Sequence, residues 1–312
     1  MNAPIRIALV GIGKIARDQH LPALAADPGF QLVASVSRTA RVDGLPGFAS
    51  IAELAASGLA VDAVSLATPP VGRYDQAAAA LAAGWHLMLE KPPAASLSDV
   101  RALVAAAGRQ TLFASWHSRS SAAVPVLAGA LAGARITRVA VDWLEDIRVW
   151  HPGQDWILAA GGMGVFDPGI NALSVLTAIL PHPVRLEAAV LDVPANRAAP
   201  IAAELSMQAG PVPVAARLDF LHTGAPRWDI MVETEEGNWH LADGGARLAH
   251  DGVPVPLPEP PSAAGEYPGL YRRFAELIAT GASDCDVRPL ELVADAFLLG
   301  ERRRAPAFSF AP

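Results

Sequence analysis

Cysteine is almost missing from these 312 residues: Cys285 stands alone, so no disulfide framework and no cysteine metal cluster can form. Charge is also scarce. Only 18% of residues are charged against 52% hydrophobic, and the net charge of −7 argues against a nucleic-acid surface. Despite the high apolar content, no run reaches the ~18 uninterrupted apolar residues that suggest a membrane span. No basic-then-apolar leader precedes the strand that starts at Ile5. His-Glu-x-x-His, zinc-ligand spacing, Walker-type phosphate loops and Gly-x-Ser-x-Gly elbows are all lacking, so no metal is expected. What these absences leave is a well-buried, soluble, cytoplasmic protein with no nucleic-acid or membrane partner. Its length suits one large domain or two ordinary ones.

The most informative stretch lies near the start. An apolar strand, Ile5–Val10, runs into Gly11-x-Gly13-x-x-Ala16 and then into a helical pattern over 14–26. Gly11 permits a tight turn, Gly13 lets backbone approach a pyrophosphate, and Ala16 lets helix and strand pack closely. The free N–H groups of the helix N-terminus suit phosphate. Further strands are predicted at Gln31–Val36, Ala63–Leu66, His86–Leu89 and Thr111–Ala114, with helices at Tyr74–Ala83 and Ser98–Ala107 between them. Such alternation predicts a parallel α/β sheet of the dinucleotide-binding kind over residues 1–118.

Ligands sit at the carboxyl ends of such strands. That rule selects Gly11, Gly13, Lys14 and Ile15, then Ser37, Arg38 and Thr39, then Ala67, Thr68 and Pro69. It also selects Glu90 and Lys91, and finally Trp116 and His117. An acidic residue after the second strand would bind the ribose of NAD and repel a 2′-phosphate. Here Ser37-Arg38-Thr39 offers two hydroxyls and a cation instead, so NADP is expected to be preferred and NAD tolerated.

Beyond residue 118 the pattern changes. Strands are predicted at Arg138–Glu145, Arg185–Val193, Ile201–Met207, Val212–Phe220, Trp228–Thr234, Asn238–Ala242 and Arg247–His250. Short turns separate several of them, so residues 119–312 should form an α+β domain with a mainly antiparallel open sheet. A helix begins near Pro168. A Pro-rich link over 253–261 leads to helices at Pro268–Thr280 and Pro289–Arg303, which can pack back on the first domain. Asp167 before Pro168 reads as a helix N-cap followed by a first-turn proline. Asn171 falls four residues on, on the same helical face of an otherwise apolar segment.

Together these pieces resemble the glucose–fructose oxidoreductase/inositol dehydrogenase family. The likeness rests on Gly11-Ile12-Gly13, Ala67-Thr68-Pro69-Pro70, Glu90-Lys91-Pro92 and Gly161-Gly162-Met163-Gly164-Val165-Phe166-Asp167-Pro168-Gly169. Within the family, Gly13 to His20, Trp150 to Gln154 and Phe166 to Asn171 are similar to bacterial aldose 1-dehydrogenases acting on L-arabinose and D-galactose. Much of the wider family carries histidine where this chain has Asn171, so its usual proton relay is not available here. The aldose subgroup shares the asparagine.

The resemblance implies NAD(P)-dependent oxidation of an aldose at its anomeric carbon to the aldonolactone, and a cis Lys91–Pro92 bond. Asp167 would be the general base, Asn171 would hold the reacting oxygen, and Lys91 would support it. His117, Glu145, Trp150 and Trp228 would complete a sugar pocket, with His117 also an alternative acid–base group. Arg148 and His151 stand behind these. Each also has an ordinary structural use: capping for Asp167, solvation for a turn lysine, core packing for tryptophan. Two rival functions remain at this stage, another sugar or inositol oxidoreductase and a non-catalytic sugar or nucleotide sensor. A homo-oligomer formed through the second sheet is also implied.

Overall fold

The computed structural model describes residues 3–258 and 265–310. The end of the Pro-rich link read over 253–261 lies outside them. The chain divides into two compact units, residues 1–120 with 260–287, and residues 121–259 with 288–312. A single cut after 118 therefore does not describe it, because the chain returns to the first unit before finishing in the second.

The first unit is built on a six-stranded sheet of β1 (Ile5–Val10), β2 (Phe30–Val36), β3 (Gly47–Phe48), β4 (Ala63–Leu66), β5 (His86–Glu90) and β6 (Leu112–Ser115). Their order is 3-2-1-4-5-6 and every pairing is parallel. This is the doubly wound dinucleotide-binding order, with its switch point between β1 and β4. β4 is buried at all four positions, as a central parallel strand covered on both faces should be. After β1 comes a π-helical turn, Ala16–His20, that continues into α1 (Leu21–Ala26).

One sheet face packs on α2 (Ile51–Ala56), α3 (Arg73–Ala82) and α4 (Leu97–Ala106), with Leu54, Val64, Ala77, Leu87 and Leu103 inaccessible. The other face receives α8 (Tyr267–Thr280), whose buried Tyr267, Leu270, Tyr271, Phe274 and Leu277 form one helical stripe. That stripe joins Ile7, Ala63, Met88 and Phe113 in a single cluster.

The second unit carries a nine-stranded sheet. Its strands are β7 (Ile136–Leu144), β8 (Val184–Pro194), β9 (Ala202–Ala209), β10 (Val212–Asp219), β11 (Arg227–Thr234), β12 (Gly237–Ala242), β13 (Arg247–His250), β14 (Val253–Pro254) and β15 (Glu301–Ala305). The order is 14-13-12-11-7-10-9-8-15. It is mainly antiparallel, but β7 pairs with β10 and β8 with β15 in parallel. β10 alternates buried and exposed residues, so one face is covered. The helices of this unit are α5 (Ala123–Leu131), α6 (Ile147–Trp150), α7 (Phe166–Ile179) and α9 (Arg288–Leu299). α7 is buried almost all round its circumference.

Two expectations change. The helix predicted to Arg303 stops at Leu299, and Glu301–Ala305 pairs as an edge strand with β8. Gly300 follows the helix where a Cβ would lie 2.4 Å from the Ala296 carbonyl oxygen, and the run of long charged side chains after it lines an exposed sheet edge. Asp167 is not the N-cap of α7: that position is Val165, and Asp167 lies inside the first turn. Among the described residues no helix is long and apolar enough to cross a membrane.

Candidate functional site

In the first unit the carboxyl ends of β1, β2, β4 and β5 present the sequence-predicted residues. Gly11 has φ +86° and donates its N–H to the Val36 carbonyl at 2.8 Å. A Cβ there would lie 2.8 Å from Thr68 Cγ2 and 2.9 Å from the Ala67 carbonyl carbon, so only glycine lets the turn rest on that loop. A Cβ on Gly13 would meet nothing within 4 Å. The turn is thus packed below and open above, as a pyrophosphate cradle must be. Lys14 is exposed and ion-paired with Asp18, and Ile15 is exposed beside it.

At the end of β2, Ser37 Oγ accepts from the N–H groups of Thr39 and Ala40, which fixes the turn. Arg38 and Thr39 are exposed, and Arg38 has no hydrogen bond or ion pair among the described residues. Its guanidinium can therefore take an anion without giving up a protein partner. These residues fit a dinucleotide: a glycine turn open above Gly13, and an exposed cation at the end of β2.

The Lys91–Pro92 bond is cis, and Lys91 is half-buried. Glu90, expected to touch cofactor, is turned inward instead. It is 5% exposed, accepts from Tyr267 Oη at 2.7 Å and from the Lys91 N–H at 3.0 Å, and lies 3.1 Å from His20 Nε2. Burial alone would push its carboxyl pKa up. The bond and charge of His20, with smaller help from His117 and Tyr267, bring it down to about 2. His20 in turn has Nδ1 2.7 Å from Tyr271 Oη. His117 pairs through Nδ1 with Glu266 Oε2 at 2.5 Å. Burial pushes the His117 pKa down, but Glu266 and then Glu90 more than offset this, and the net shift is upward.

In the second unit a glycine-rich lead-in aims α7. Gly164, at φ +57°, lies so close to the Pro200 backbone that a Cβ would be 2.0 Å from the Pro200 carbonyl oxygen. Asp167 is 7% exposed in the first turn, and Asn171 follows one turn later on the same face. Asn171 Oδ1 is buried without a hydrogen-bond partner among the described residues. An unpartnered buried amide oxygen costs free energy unless a donor reaches it.

The remaining groups of this unit converge. Glu145 is buried; its Oε2 accepts from Trp228 Nε1 at 2.8 Å, and its Oε1 lies 3.1 Å from His151 Nε2. The other ring nitrogen of His151 stands 4.0 Å from Asp167 Oδ2. Trp150 is 43% exposed and meets Trp228 edge to face with centroids 4.7 Å apart. Glu145 can reach a sugar only through lone pairs that Trp228 and His151 leave over. His151, expected to be secondary, links Glu145 to the vicinity of Asp167.

His20, Arg73, Glu266, Tyr267 and Tyr271 were not foreseen. The last three come from α8 and the residue before it, far along the chain from the strands they serve, so no local spacing marks them. His20 alone had a signal, as the last residue of the Gly13 to His20 segment that carries part of the family resemblance.

Comparison with known proteins agrees with this architecture. Residues 5–116 match the oxidoreductase family with an NAD-binding Rossmann fold. Over 318 aligned residues the chain is 43% identical to a galactose 1-dehydrogenase of Pseudomonas fluorescens, covering 98% of this chain and 99% of the other. The crystal structure of a D-galactose-1-dehydrogenase protein from Rhizobium etli superposes with a TM-score of 0.94 at 50% identity, covering 99% of each chain. KijD10, a 3-ketoreductase of Actinomadura kijaniata solved with NADP and TDP-benzene, shares the fold at a TM-score of 0.84. It is 19% identical, over 97% of this chain and all of that one.

Proposed function

Since the chain belongs to the oxidoreductase family with an NAD-binding Rossmann fold, we propose that it oxidises the anomeric carbon of D-galactose and L-arabinose to the aldonolactone, preferring NADP to NAD. At the coarser level it is an NAD(P)-dependent dehydrogenase acting on a CH–OH group of a sugar. The observation that carries the finer reading is the pair on α7. Asp167 and an Asn171 amide oxygen without a partner among the described residues share one face of a buried helix whose other polar side chains, Ser174 and Thr177, bond to its own backbone.

Oxidation of an anomeric carbon removes a proton from its hydroxyl and a hydride from the carbon. Bound NAD(P)+ supplies the hydride acceptor. Asp167 is assigned as the base that takes the hydroxyl proton; Asn171 holds the same oxygen by donating from Nδ2, while its Oδ1 accepts from another sugar hydroxyl. Lys91 is assigned to hydrogen-bond the sugar beside the nicotinamide. Trp150 and Trp228 offer ring faces to the apolar C–H side of a pyranose, with Glu145 and His151 fixing the Trp228 indole and a polar edge. His117, held through Nδ1 by Glu266, is assigned to offer Nε2 to the sugar.

D-galactose and L-arabinose agree in configuration at carbons two to four and differ by one hydroxymethyl group. A group of that size is worth about 1–3 kcal/mol of discrimination, so one pocket accepts both. NADP preference rests on exposed Arg38, with no acidic side chain at the end of β2. A homo-oligomer formed through the exposed face of the nine-stranded sheet is part of the same proposal.

The experiment is Asp167→Asn. It should lower kcat by about 10²–10⁴-fold while sugar binding persists. Turnover near the parent rate would remove Asp167 from the proton transfer.

A further inference from the structure

Arg73 is charged, 2% exposed, and placed at the first position of α3, where the helix dipole disfavours a cation. Burial of that kind requires compensation. Its guanidinium supplies it by binding backbone carbonyls of two separate loops. Nε donates to the Thr68 carbonyl at 3.0 Å and Nη2 donates to the same oxygen. Nη1 donates to the carbonyls of Glu90 and Pro92.

Those carbonyls belong to the loop leaving β4, to the last residue of β5 and to the loop that follows it. Both loops are proline-rich, Thr68-Pro69-Pro70 and Lys91-Pro92-Pro93, and proline has no N–H to offer. The sheet hydrogen bonds that tie β4 to β5 end at Leu66 and Leu89, short of these loops, and the prolines leave few amide donors to join them. The arginine fork joins them. The Thr68 side chain is held separately, its Oγ1 donating to Gln76 Oε1 at 2.7 Å.

We propose that Arg73 is a positioning residue. It fixes the Thr68 loop, on which Gly11 rests, against the loop that carries Lys91, and so sets both dinucleotide affinity and the placement of the Lys91 ammonium. This rests on the reading that these strand ends hold the dinucleotide. Lysine retains the charge but not the planar fork, and cannot serve three carbonyls in the same geometry.

The test uses the full chain, with Arg73→Lys and Arg73→Gln beside the parent. NADPH affinity is read from nicotinamide fluorescence, kcat and KM from turnover, and folding from circular dichroism and Tm. The expected result for Arg73→Lys is a folded protein with NADPH affinity weakened about tenfold or more and a lower kcat at saturating cofactor. The KM for sugar should change little. A residue that merely stabilised the unit would lower Tm and leave the affinity of the folded protein alone. NADPH affinity and kcat within about twofold of the parent in a folded variant would overturn the proposal. Loss of folding in both variants would overturn it too, because Arg73 would then serve the core rather than the loops. A parent that binds neither NADPH nor NADH would overturn the dinucleotide reading and this inference with it.

Discussion

Burial by itself would discharge His117, whose ordinary pKa is 6.5, yet Glu266 at 2.5 Å shifts it upward. A raised folded pKa means that this pair stabilises the fold fully below pH 6.5, and that the contribution disappears as pH rises through the folded value. Glu266→Gln removes the main opposing charge, leaving only the weaker pull of Glu90 against burial and Lys91. The His117 ring protons should then titrate at lower pH by NMR. An unchanged midpoint would show that Glu266 does not set the charge of His117. Glu90 runs the other way: its stabilisation is present above pH 4.5 and is lost as pH falls toward about 2. At this scale the sequence pointed to Asp167, Asn171 and Lys91 because their neighbours are distinctive. It could not reveal which atoms of Glu90 and Glu145 were already engaged, since Tyr267 and Trp228 are separated from them by 177 and 83 residues.

At the scale of elements, the two glycines of the first turn do different work. Gly11→Ala must force a Cβ against Ala67 and Thr68 at positive φ, and should cost about 1–3 kcal/mol of stability along with dinucleotide binding. Gly13→Ala meets no protein atom within 4 Å, so it should leave Tm nearly unchanged while still weakening NADPH binding. Thermal melts beside fluorescence titrations separate the two effects. Equal loss of Tm in both variants would contradict the reading of Gly13 as a ligand-facing position. The central strands were legible because β1, β4 and β5 are apolar runs bounded by turn residues. α2 was overlooked although Ser50 caps it by accepting from the Glu53 N–H, and Glu53 reaches back to the Ala49 N–H. The parallel pairing of β7 with β10 was not legible. Strand periodicity reports which face is buried, and not which neighbour lies alongside.

For the whole molecule, the alternation of strands and helices in the first third, and the run of strands in the middle, identified two kinds of sheet. The interleaving of the chain was only partly foreseen: α8 serves the first unit and α9 the second. Both are amphipathic, and amphipathicity says that a helix packs without saying on which sheet. The same limit applies to function. A dinucleotide fold admits many substrates, and only the side chains at the strand ends and on α7 narrow the choice. The most direct test is reduction of NADP and NAD by the purified protein across a panel of aldoses and inositols. D-galactose and L-arabinose should be turned over, faster with NADP than with NAD, and lactone should form. Turnover confined to an inositol or another polyol, or none at all in a protein that binds the dinucleotide, would contradict the assignment of the anomeric carbon.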